Sequence, residues 1–226
     1  MKTAKTTVDR IDFHSHILPG IDDGAKHSAD SVQYVHRAGE IGIETVIATP
    51  HFYPHKKLVK DFLHNRNASY DRLMSFADDR FPKIIRGAEV LCCSGIDRME
   101  GIERLCVEDT DLLMLELPFN PADHTEELFE TVDNLIERLK LRVIMVHPHR
   151  YPDETVMRMV SLGAKLQLNA ADAAAGFKLA RRTKAFIDTG AVCALGTDMH
   201  RDIRIYDAFL KASVKHAEDF KRLEIN

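Results

Sequence analysis

The sequence predicts an α/β protein in which seven β-α units form a barrel or a barrel-like parallel sheet, in a single domain over residues 1–226. Two observations predict this class. Short apolar runs alternate with amphipathic segments along the chain, and residue types suited to metal binding follow the runs. A chain of 226 residues is long enough for one domain of this kind.

The apolar runs are the predicted strands. They are continuous in apolar residues rather than alternating with polar ones, as expected for parallel strands that are covered on both faces. The runs span residues 8–13, 45–49, 83–90, 112–117, 142–146, 164–168 and 192–195.

The segments between the runs are the predicted helices. Residues 32–41 and 128–139 place apolar side chains at helical spacing, and 58–79 reads as a longer, more polar helical stretch. Glycines that follow several of these segments are typical helix C-caps: Gly42, Gly163 and Gly190. No linker or repeat divides the chain.

Composition argues against several classes of function. The formal net charge is −4, the isoelectric point is near 6.3 and no long basic run occurs, so we expect no nucleic-acid partner. Residues 1–10 lack the apolar core of a signal peptide, and no stretch has the ~20 apolar residues of a membrane span. The four cysteines form no CxxC pair, which fits a reducing compartment. We therefore expect a soluble cytoplasmic protein.

Metal-ligating residue types follow most of the runs. Asp12, His14 and His16 project to one side of an extended chain, and two imidazoles beside carboxylates can chelate a divalent ion. Residues of the same types lie at or just past the ends of the later runs: His51, Glu89, Glu116, His147, Asp198 and His200. In a parallel barrel these strand ends lie on one face, where active sites sit. So many carboxylates and imidazoles require cations to neutralise them, so the sequence predicts a multinuclear metal site.

Six short signatures lie at or near the ends of the predicted strands. They are residues 12–24 (DFHSHILPGIDDG), 48–51 (ATPH), 87–90 (GAEV), 115–116 (LE), 147–151 (HPHRY) and 197–200 (TDMH). They occur in order over most of the chain, and the first is the most specific. These signatures resemble those of the polymerase-and-histidinol-phosphatase (PHP) family of metal-dependent phosphoesterases. Within that family the similarity is greatest to the bacterial capsule-associated tyrosine phosphatases.

This resemblance implies a distorted seven-stranded (β/α)7 TIM-like barrel that holds three divalent metal ions, of manganese, iron or zinc. It also implies which residues bind them. The ligands are His14, His16, Glu89 and Asp198 for the first ion, Glu89, Glu116 and His147 for the second, and Asp23, His51 and His200 for the third.

The implied reaction is hydrolysis of phosphotyrosine by a metal-activated hydroxide, with a tyrosine-phosphorylated protein, a bacterial tyrosine kinase, as partner. The implied role is the control of capsular or exopolysaccharide synthesis. Metals lower the pKa of water and neutralise phosphoryl oxygens. Arg150 is assigned to the substrate phosphate, which a guanidinium can clamp through two hydrogen bonds. Asp198 or His200 could assist proton transfer, and the sequence does not decide between them.

The substrate-binding residues beyond Arg150 are less defined. The tyrosine phosphatase subgroup usually has Asn after the last ligand histidine and Arg five residues past it. Here Arg201 follows that histidine and Arg204 lies four residues past it, so the second phosphate contact is one of these two. Phe52 and Tyr53 could stack on an aromatic substrate or merely cover the barrel mouth.

Three alternatives remain. The chain could be a histidinol-phosphatase-like or other small phosphomonoesterase of the same family, or a metal-binding regulatory module without activity. Cys92 and Arg98 also have the C-x5-R spacing of cysteine-dependent tyrosine phosphatases, in which a thiolate attacks phosphate. That spacing is unspecific, and Asp97 in the intervening loop would oppose a phosphate.

Overall fold

The computed structural model describes residues 9–225, which form parallel β-strands flanked by helices. The strands are β1 (Ile11–Ser15), β2 (Thr45–Ala48), β3 (His51–Phe52), β4 (Lys83–Arg86), β5 (Glu89–Leu91), β6 (Leu112–Glu116), β7 (Arg142–Met145), β8 (Lys165–Asn169) and β9 (Val192–Gly196). The helices are α1 (Ser28–Glu40), α2 (Val59–Met74), α3 (Glu126–Asp133), α4 (Asp153–Ser161), α5 (Ala170–Ala174), α6 (Phe177–Asp188) and α7 (Ile205–Lys215). Val8, the start of the first predicted run, lies outside the described residues.

The strands are arranged in two sheets in which all pairs are parallel. One sheet has the order β1-β2-β4, and the other has the order β3-β5-β6-β7-β8-β9. The predicted α/β class with parallel strands is therefore confirmed. The strands form sheets of three and six strands, rather than one closed sheet of seven.

Two breaks explain the larger number of strands. The second run contains β2, and a further short strand, β3, begins beyond that run, after Thr49 and Pro50. Proline has no backbone N–H to donate to a ladder, so the regular pairing stops there. The third run is likewise divided at Gly87 into β4 and β5. Hydrogen bonds from Gly87 N to Ala48 O (2.8 Å) and from Glu89 N to Pro50 O (3.1 Å) keep these two segments of the chain adjacent across the break.

The two sheets also meet where the chain leaves β9. Asp198 N donates to His14 O, and His16 N donates to Met199 O, each at 2.8 Å. Gly196 permits this approach, because a Cβ atom there would lie 2.6 Å from the Cβ of His14. The carboxyl ends of β1 and β9 are therefore held side by side.

Alternation along the strands divides the apolar core into two clusters. In β6, Leu113 and Leu115 belong to the larger cluster, while Leu112 and Met114 belong to a smaller one. The smaller cluster draws on both sheets, through Phe13, Ile47, Ile85, Ile144 and Ala194. Burying such side chains contributes about 1.5–3 kcal/mol each. Glu116 follows Met114 with the same alternation, so its carboxylate lies at the carboxyl end of the smaller cluster.

The helices follow the predicted segments, with one irregularity. The glycines after α1, α4 and α6 have φ of 91°, 98° and 71°, which confirms Gly42, Gly163 and Gly190 as helix ends. The predicted helix at 128–139 is α3 followed by a π-helical turn, Asn134–Arg138. In the described chain, 9–225, the helices are all too short or too polar to cross a membrane.

Candidate metal centre

The carboxyl ends of the strands bring together all of the predicted metal ligands. Among residues 9–225, four groups of side chains have ligand atoms within 4.8 Å of one another. The groups are His14, His16 and Glu89; His14, His147 and Asp198; His51, Glu89 and Glu116; and His16, Asp23, His51 and His200. Several side chains belong to two groups, so the groups form one continuous cluster.

The first group is fully buried and built on β1. The Nε2 atoms of His14 and His16 lie 3.1 Å apart, and they lie 3.3 Å and 3.2 Å from Glu89 Oε2. Asp198 Oδ1 lies 3.6 Å and 3.5 Å from the same two nitrogens. The four side chains expected to bind the first ion therefore converge on one point.

The ligands expected for the second ion, Glu89, Glu116 and His147, share Glu89 with the first group. His147 Nε2 lies 2.5 Å from Glu89 Oε1 and 3.8 Å from Glu116 Oε1. The two oxygens of Glu89 thus face different groups, as a bridging carboxylate would. His51 Nδ1 also lies 2.9 Å from Glu89 Oε2.

The fourth group, which contains Asp23, His51 and His200, lies nearer the surface. Asp23 Oδ1 lies 3.4 Å from the Nε2 atoms of both His51 and His200. The His200 ring stacks on His16 with centroids 4.0 Å apart, which joins this group to the first. The side chain of Asp23 is 64% exposed, so this part of the cluster is open to solvent.

The imidazole rings are oriented by hydrogen bonds at Nδ1. His14 Nδ1 contacts Gln167 Oε1 at 3.0 Å, and His16 Nδ1 contacts Asp22 Oδ2 at 2.8 Å. His147 Nδ1 contacts the Asn169 amide, and His200 Nδ1 lies 3.0 Å from a backbone carbonyl. A proton donated from Nδ1 leaves the Nε2 lone pair free for a metal.

Three of these supporting residues were not predicted from the sequence. Asp22 lies within the first signature, Gln167 lies in the sixth apolar run, and Asn169 directly follows that run. The two amides are two residues apart in a strand, so they share a face. That spacing, beside histidines that need Nδ1 partners, is the signal that could have identified them.

Backbone geometry at two ligands is unusual. His147 and Asp198 have φ of 53° and 55°, a left-handed conformation that costs free energy in residues other than glycine. Asp12 accepts hydrogen bonds from Thr197 N (2.8 Å) and Thr197 Oγ1 (2.6 Å), which fixes the segment just before Asp198. Asp12 thus supports the centre from outside the ligand groups. Gly24 also is required, since a Cβ there would lie 2.1 Å from His16 O.

Electrostatics favour a cationic occupant. Burial raises the pKa of Glu116, with a further contribution from the Glu89 carboxylate, to about 7. Burial would also raise the pKa of Glu89, but His14 and His147 outweigh it and hold that pKa well below its usual range. Among the described residues, no donor forms a hydrogen bond to the buried Glu89 Oε2 or Asp198 Oδ1. Imidazole nitrogens around such carboxylate oxygens fit zinc, manganese or iron.

Arg150 lies beside the ligand groups. Its Nη1 donates to Glu116 Oε1 at 3.2 Å, and its Nη2 donates to Asp198 Oδ2 at 2.8 Å. The side chain is 33% exposed, so part of the guanidinium faces solvent at the mouth of the cluster.

The two other candidate arginines differ in their surroundings. Arg201 Nε donates to the backbone carbonyl of Asp23 at 3.1 Å, and its side chain lines a cavity of about 430 Å³ with Asp198 and His200. Arg204 pairs with Asp202 at 2.7 Å and is largely exposed away from the ligand groups. Of the pair, Arg201 is the one next to the cluster.

The two aromatic candidates, Phe52 in β3 and Tyr53 directly after it, have different surroundings. Phe52 is fully buried and packs against Phe62, with ring centroids 5.2 Å apart. Alternation along β3 turns Phe52 away from His51 into the core, so the structure gives no support to its predicted contact with substrate. Tyr53 stacks on His51 with centroids 5.2 Å apart and lies at the edge of the cluster.

The cysteine alternative has no support in the structure. Cys92 is fully buried, and burial raises the pKa of its thiol, which disfavours the thiolate. Arg98 is exposed, and the intervening Asp97 forms an ion pair with Arg138 at 2.7 Å. These residues do not form a phosphate-binding loop.

Two known proteins that are similar in sequence to this chain are both named tyrosine-protein phosphatases. The chain is 27% identical to the tyrosine-protein phosphatase YwqE of Bacillus subtilis over 206 residues, which cover 84% of this chain and 77% of that protein. It is 23% identical to the tyrosine-protein phosphatase CpsB of Streptococcus pneumoniae over 209 residues, which cover 84% and 82%.

Solved structures with the same fold are also known. A crystal structure from a study of YwqE and CpsB, described as unique metal-dependent tyrosine phosphatases, superposes with a TM-score of 0.76 at 23% identity. The superposition covers 92% of this chain and 87% of the other. A TatD-like protein from Archaeoglobus fulgidus shares the fold more distantly, with a TM-score of 0.51 at 15% identity over 92% and 93% of the chains.

The family model for capsular polysaccharide synthesis, CpsB/CapC, matches residues 10–216. The match covers nearly the whole chain, including the six signatures and every ligand described above. The resemblance to the capsule-associated subgroup is thereby confirmed. The chain belongs to the CpsB/CapC family.

Proposed function

We propose that this chain is a metal-dependent protein-tyrosine phosphatase that regulates capsular or exopolysaccharide synthesis. The observation that carries the proposal is the convergence of imidazole and carboxylate ligands beside the guanidinium of Arg150. The names of the relatives YwqE and CpsB support the same activity. A pure metal-binding module would have no need of an arginine at the mouth of the cluster.

We propose three divalent ions, of manganese, iron or zinc, as the cofactors. His14, His16, Glu89 and Asp198 would hold the first, Glu89, Glu116 and His147 the second, and Asp23, His51 and His200 the third. Bound divalent ions would supply a water with a lowered pKa and would neutralise charge on the phosphoryl oxygens. The sharing of Glu89 and His16 between groups supports a multinuclear centre over separate sites.

The chain's own residues would bind and orient the phosphate. Arg150 presents paired N–H donors that match two phosphoryl oxygens, and its contacts with Glu116 and Asp198 fix the guanidinium toward the cluster. We propose Arg201 as the second phosphate contact, because it lines the cavity that also contains His200. Arg204 is directed to Asp202 and has no part in this proposal.

The leaving group favours phosphotyrosine. A phenol has a pKa of about 10, lower than that of an alkyl alcohol, so its oxygen leaves with less assistance from an acid. We propose that Asp198 or His200 completes any proton transfer, because both lie in the cluster next to Arg150 and Arg201. Tyr53 is the aromatic residue placed to contact the substrate ring.

We also propose that the two sheets act as one distorted seven-stranded barrel. In this interpretation β2 with β3 and β4 with β5 each count as one interrupted strand. The hydrogen bonds across the breaks and those between the ends of β1 and β9 support the interpretation. All proposed ligands then come from the carboxyl ends of one barrel, the face where active sites occur.

The proposed partner is a tyrosine-phosphorylated protein, such as a bacterial tyrosine kinase.

The test of the function is kcat/KM for a tyrosine-phosphorylated peptide compared with histidinol phosphate, at equal metal loading. We expect phosphotyrosine to be preferred. A preference of tenfold or more for histidinol phosphate would move the assignment to a small-molecule phosphomonoesterase, and no turnover of either after metal loading would favour a binding module. Aryl phosphates such as p-nitrophenyl phosphate are a poor test, since their leaving groups depart readily in any open site.

A further inference from the structure

A cavity of about 290 Å³ opens beside the fourth group of candidate ligands, His16, Asp23, His51 and His200. Its walls include Asp23 and His51 on the side of the cluster and Tyr53, Lys56 and Lys57 on the outer side. The two lysines lie in the segment between β3 and α2 and are exposed. A substrate whose phosphate reaches the cluster through this opening would have its neighbouring residues beside the lysines.

The position of the two lysines is fixed by a turn. The backbone N–H groups of Lys56 and Lys57 both donate to the carbonyl of Tyr53, at 2.9 Å and 3.3 Å. The Lys56 ammonium lies 4.2 Å from the centroid of the Tyr53 ring, a cation–π contact, and that ring stacks on His51. Lys56 is therefore only one side chain removed from a proposed metal ligand.

The two ammonium groups are free to meet a ligand. Within the described part of the chain, no carboxylate lies within 4.0 Å of either ammonium, whereas Lys184 pairs with Asp188 at 2.7 Å. Two carboxylates, Asp22 and Asp23, also line the cavity. Asp22 contacts His16 Nδ1 at 2.8 Å, and Asp23 faces His51 and His200, so both are directed to the cluster of imidazoles. The two lysines are the positive charges on the outer wall of the opening.

We propose that this cavity and its two lysines select phosphotyrosine segments with acidic residues next to the phosphotyrosine. The proposal rests on the phosphatase function proposed above and names the substrate class for the same site. Exposed charge pairs are individually weak, so two of them should change kcat/KM by about three- to tenfold.

The test compares two phosphotyrosine peptides that differ only in having Glu or Gln on both sides of the phosphotyrosine. The readout is the ratio of kcat/KM for the Glu peptide to kcat/KM for the Gln peptide. In the unaltered protein we expect a ratio of about three to ten that falls as salt concentration rises. The double variant Lys56→Gln/Lys57→Gln should bring the ratio close to one.

Lys60→Gln is the matched control, because it removes the same charge from an exposed site in the first turn of α2 that does not line this cavity. It should leave the ratio unchanged. Equal kcat/KM for both peptides in the unaltered protein would overturn the proposal, and so would an equal fall of the ratio in the Lys60 variant. If neither peptide is hydrolysed, the proposed function fails. The ratio of Kd values for peptides with a non-hydrolysable phosphonate then tests the lysines alone.

Discussion

Glu89 is the residue on which the cluster depends most, because each of its oxygens faces a different group of ligands. We predict that Glu89→Gln lowers the number of bound metal ions per chain and reduces kcat by at least about 100-fold, since the proposed ligand to two of the proposed ions is lost. Metal analysis of the purified protein, together with phosphotyrosine kinetics, checks this. Glu103→Gln, an exposed site, is the control. Full metal content and activity in the Glu89 variant would contradict the bridging role.

Arg150 contacts Glu116 and Asp198, two of the proposed metal ligands. We predict that Arg150→Ala reduces kcat/KM by about 100-fold, because a charge-assisted clamp on the phosphate is lost. Metal content should stay near normal. Arg158→Ala, which removes an exposed arginine paired with Glu126, should change neither quantity. Unchanged kinetics in the Arg150 variant would leave Arg201 as the phosphate contact.

Substitution of Cys92, unlike that of Glu89 or Arg150, is predicted to leave activity unchanged. Its thiol is buried, so Cys92→Ser should keep the specific activity of the folded protein while lowering its stability by about 1–3 kcal/mol, the cost of a buried hydroxyl without a partner. Thermal unfolding and kinetics on the same sample separate the two effects. Loss of activity in a folded, metal-loaded variant would revive the cysteine mechanism.

Helix α6 holds the segment that carries Arg150. Arg182, on α6, donates to His149 O at 2.7 Å, to Tyr151 O and to Asp153 Oδ1 at 2.6 Å. We predict that Arg182→Ala lowers kcat/KM by about tenfold without loss of metal, because Arg150 is no longer positioned.

Arg181→Ala is the matched control, since Arg181 is the exposed neighbour on the same helix. Lysine at position 182 should restore part of the activity. The effects of Arg182→Ala and Arg150→Ala should be less than additive in the double variant, because both act through one guanidinium. Additive effects would show that Arg182 acts independently of Arg150 and would contradict the positioning role.

At the scale of helices and strands, the sequence predicted which elements occur better than it predicted the breaks and irregular turns within them. The continuous apolar runs identified the strands because burial on both faces leaves a simple pattern. The break at Pro50 and the π-helical turn after α3 depend on local hydrogen bonding that a hydrophobic pattern does not report. The candidate metal ligands were predicted because they lie in the six signatures, at or near the ends of predicted strands. Gln167 and Asn169 were missed because their role exists only through contact with histidines on distant strands.

Over the whole molecule, the ligands come from the ends of strands in both sheets, so bound ions should stabilise the complete fold. A ligand at 100 times its Kd adds about 2.7 kcal/mol to the free energy of unfolding. We predict that exhaustive chelation lowers Tm and abolishes activity, and that manganese, iron or zinc restores both. Thermal unfolding with and without each ion measures this. A Tm and an activity that are indifferent to chelation, with metal content near zero, would refute the metal mechanism.

The contact between the ends of β1 and β9 also determines when, during synthesis and folding, the cluster of candidate ligands can form. Asp198 and His200 lie near the carboxyl terminus, yet they meet His14 and His16 near the amino terminus. Contacts so distant in sequence form late and slow the folding of a chain. On the ribosome, the first histidines are made long before their last partners. A nascent chain that has not yet released β9 and the residues up to His200 therefore lacks ligands from two of the four groups, so the complete cluster can form only after residue 200 has emerged.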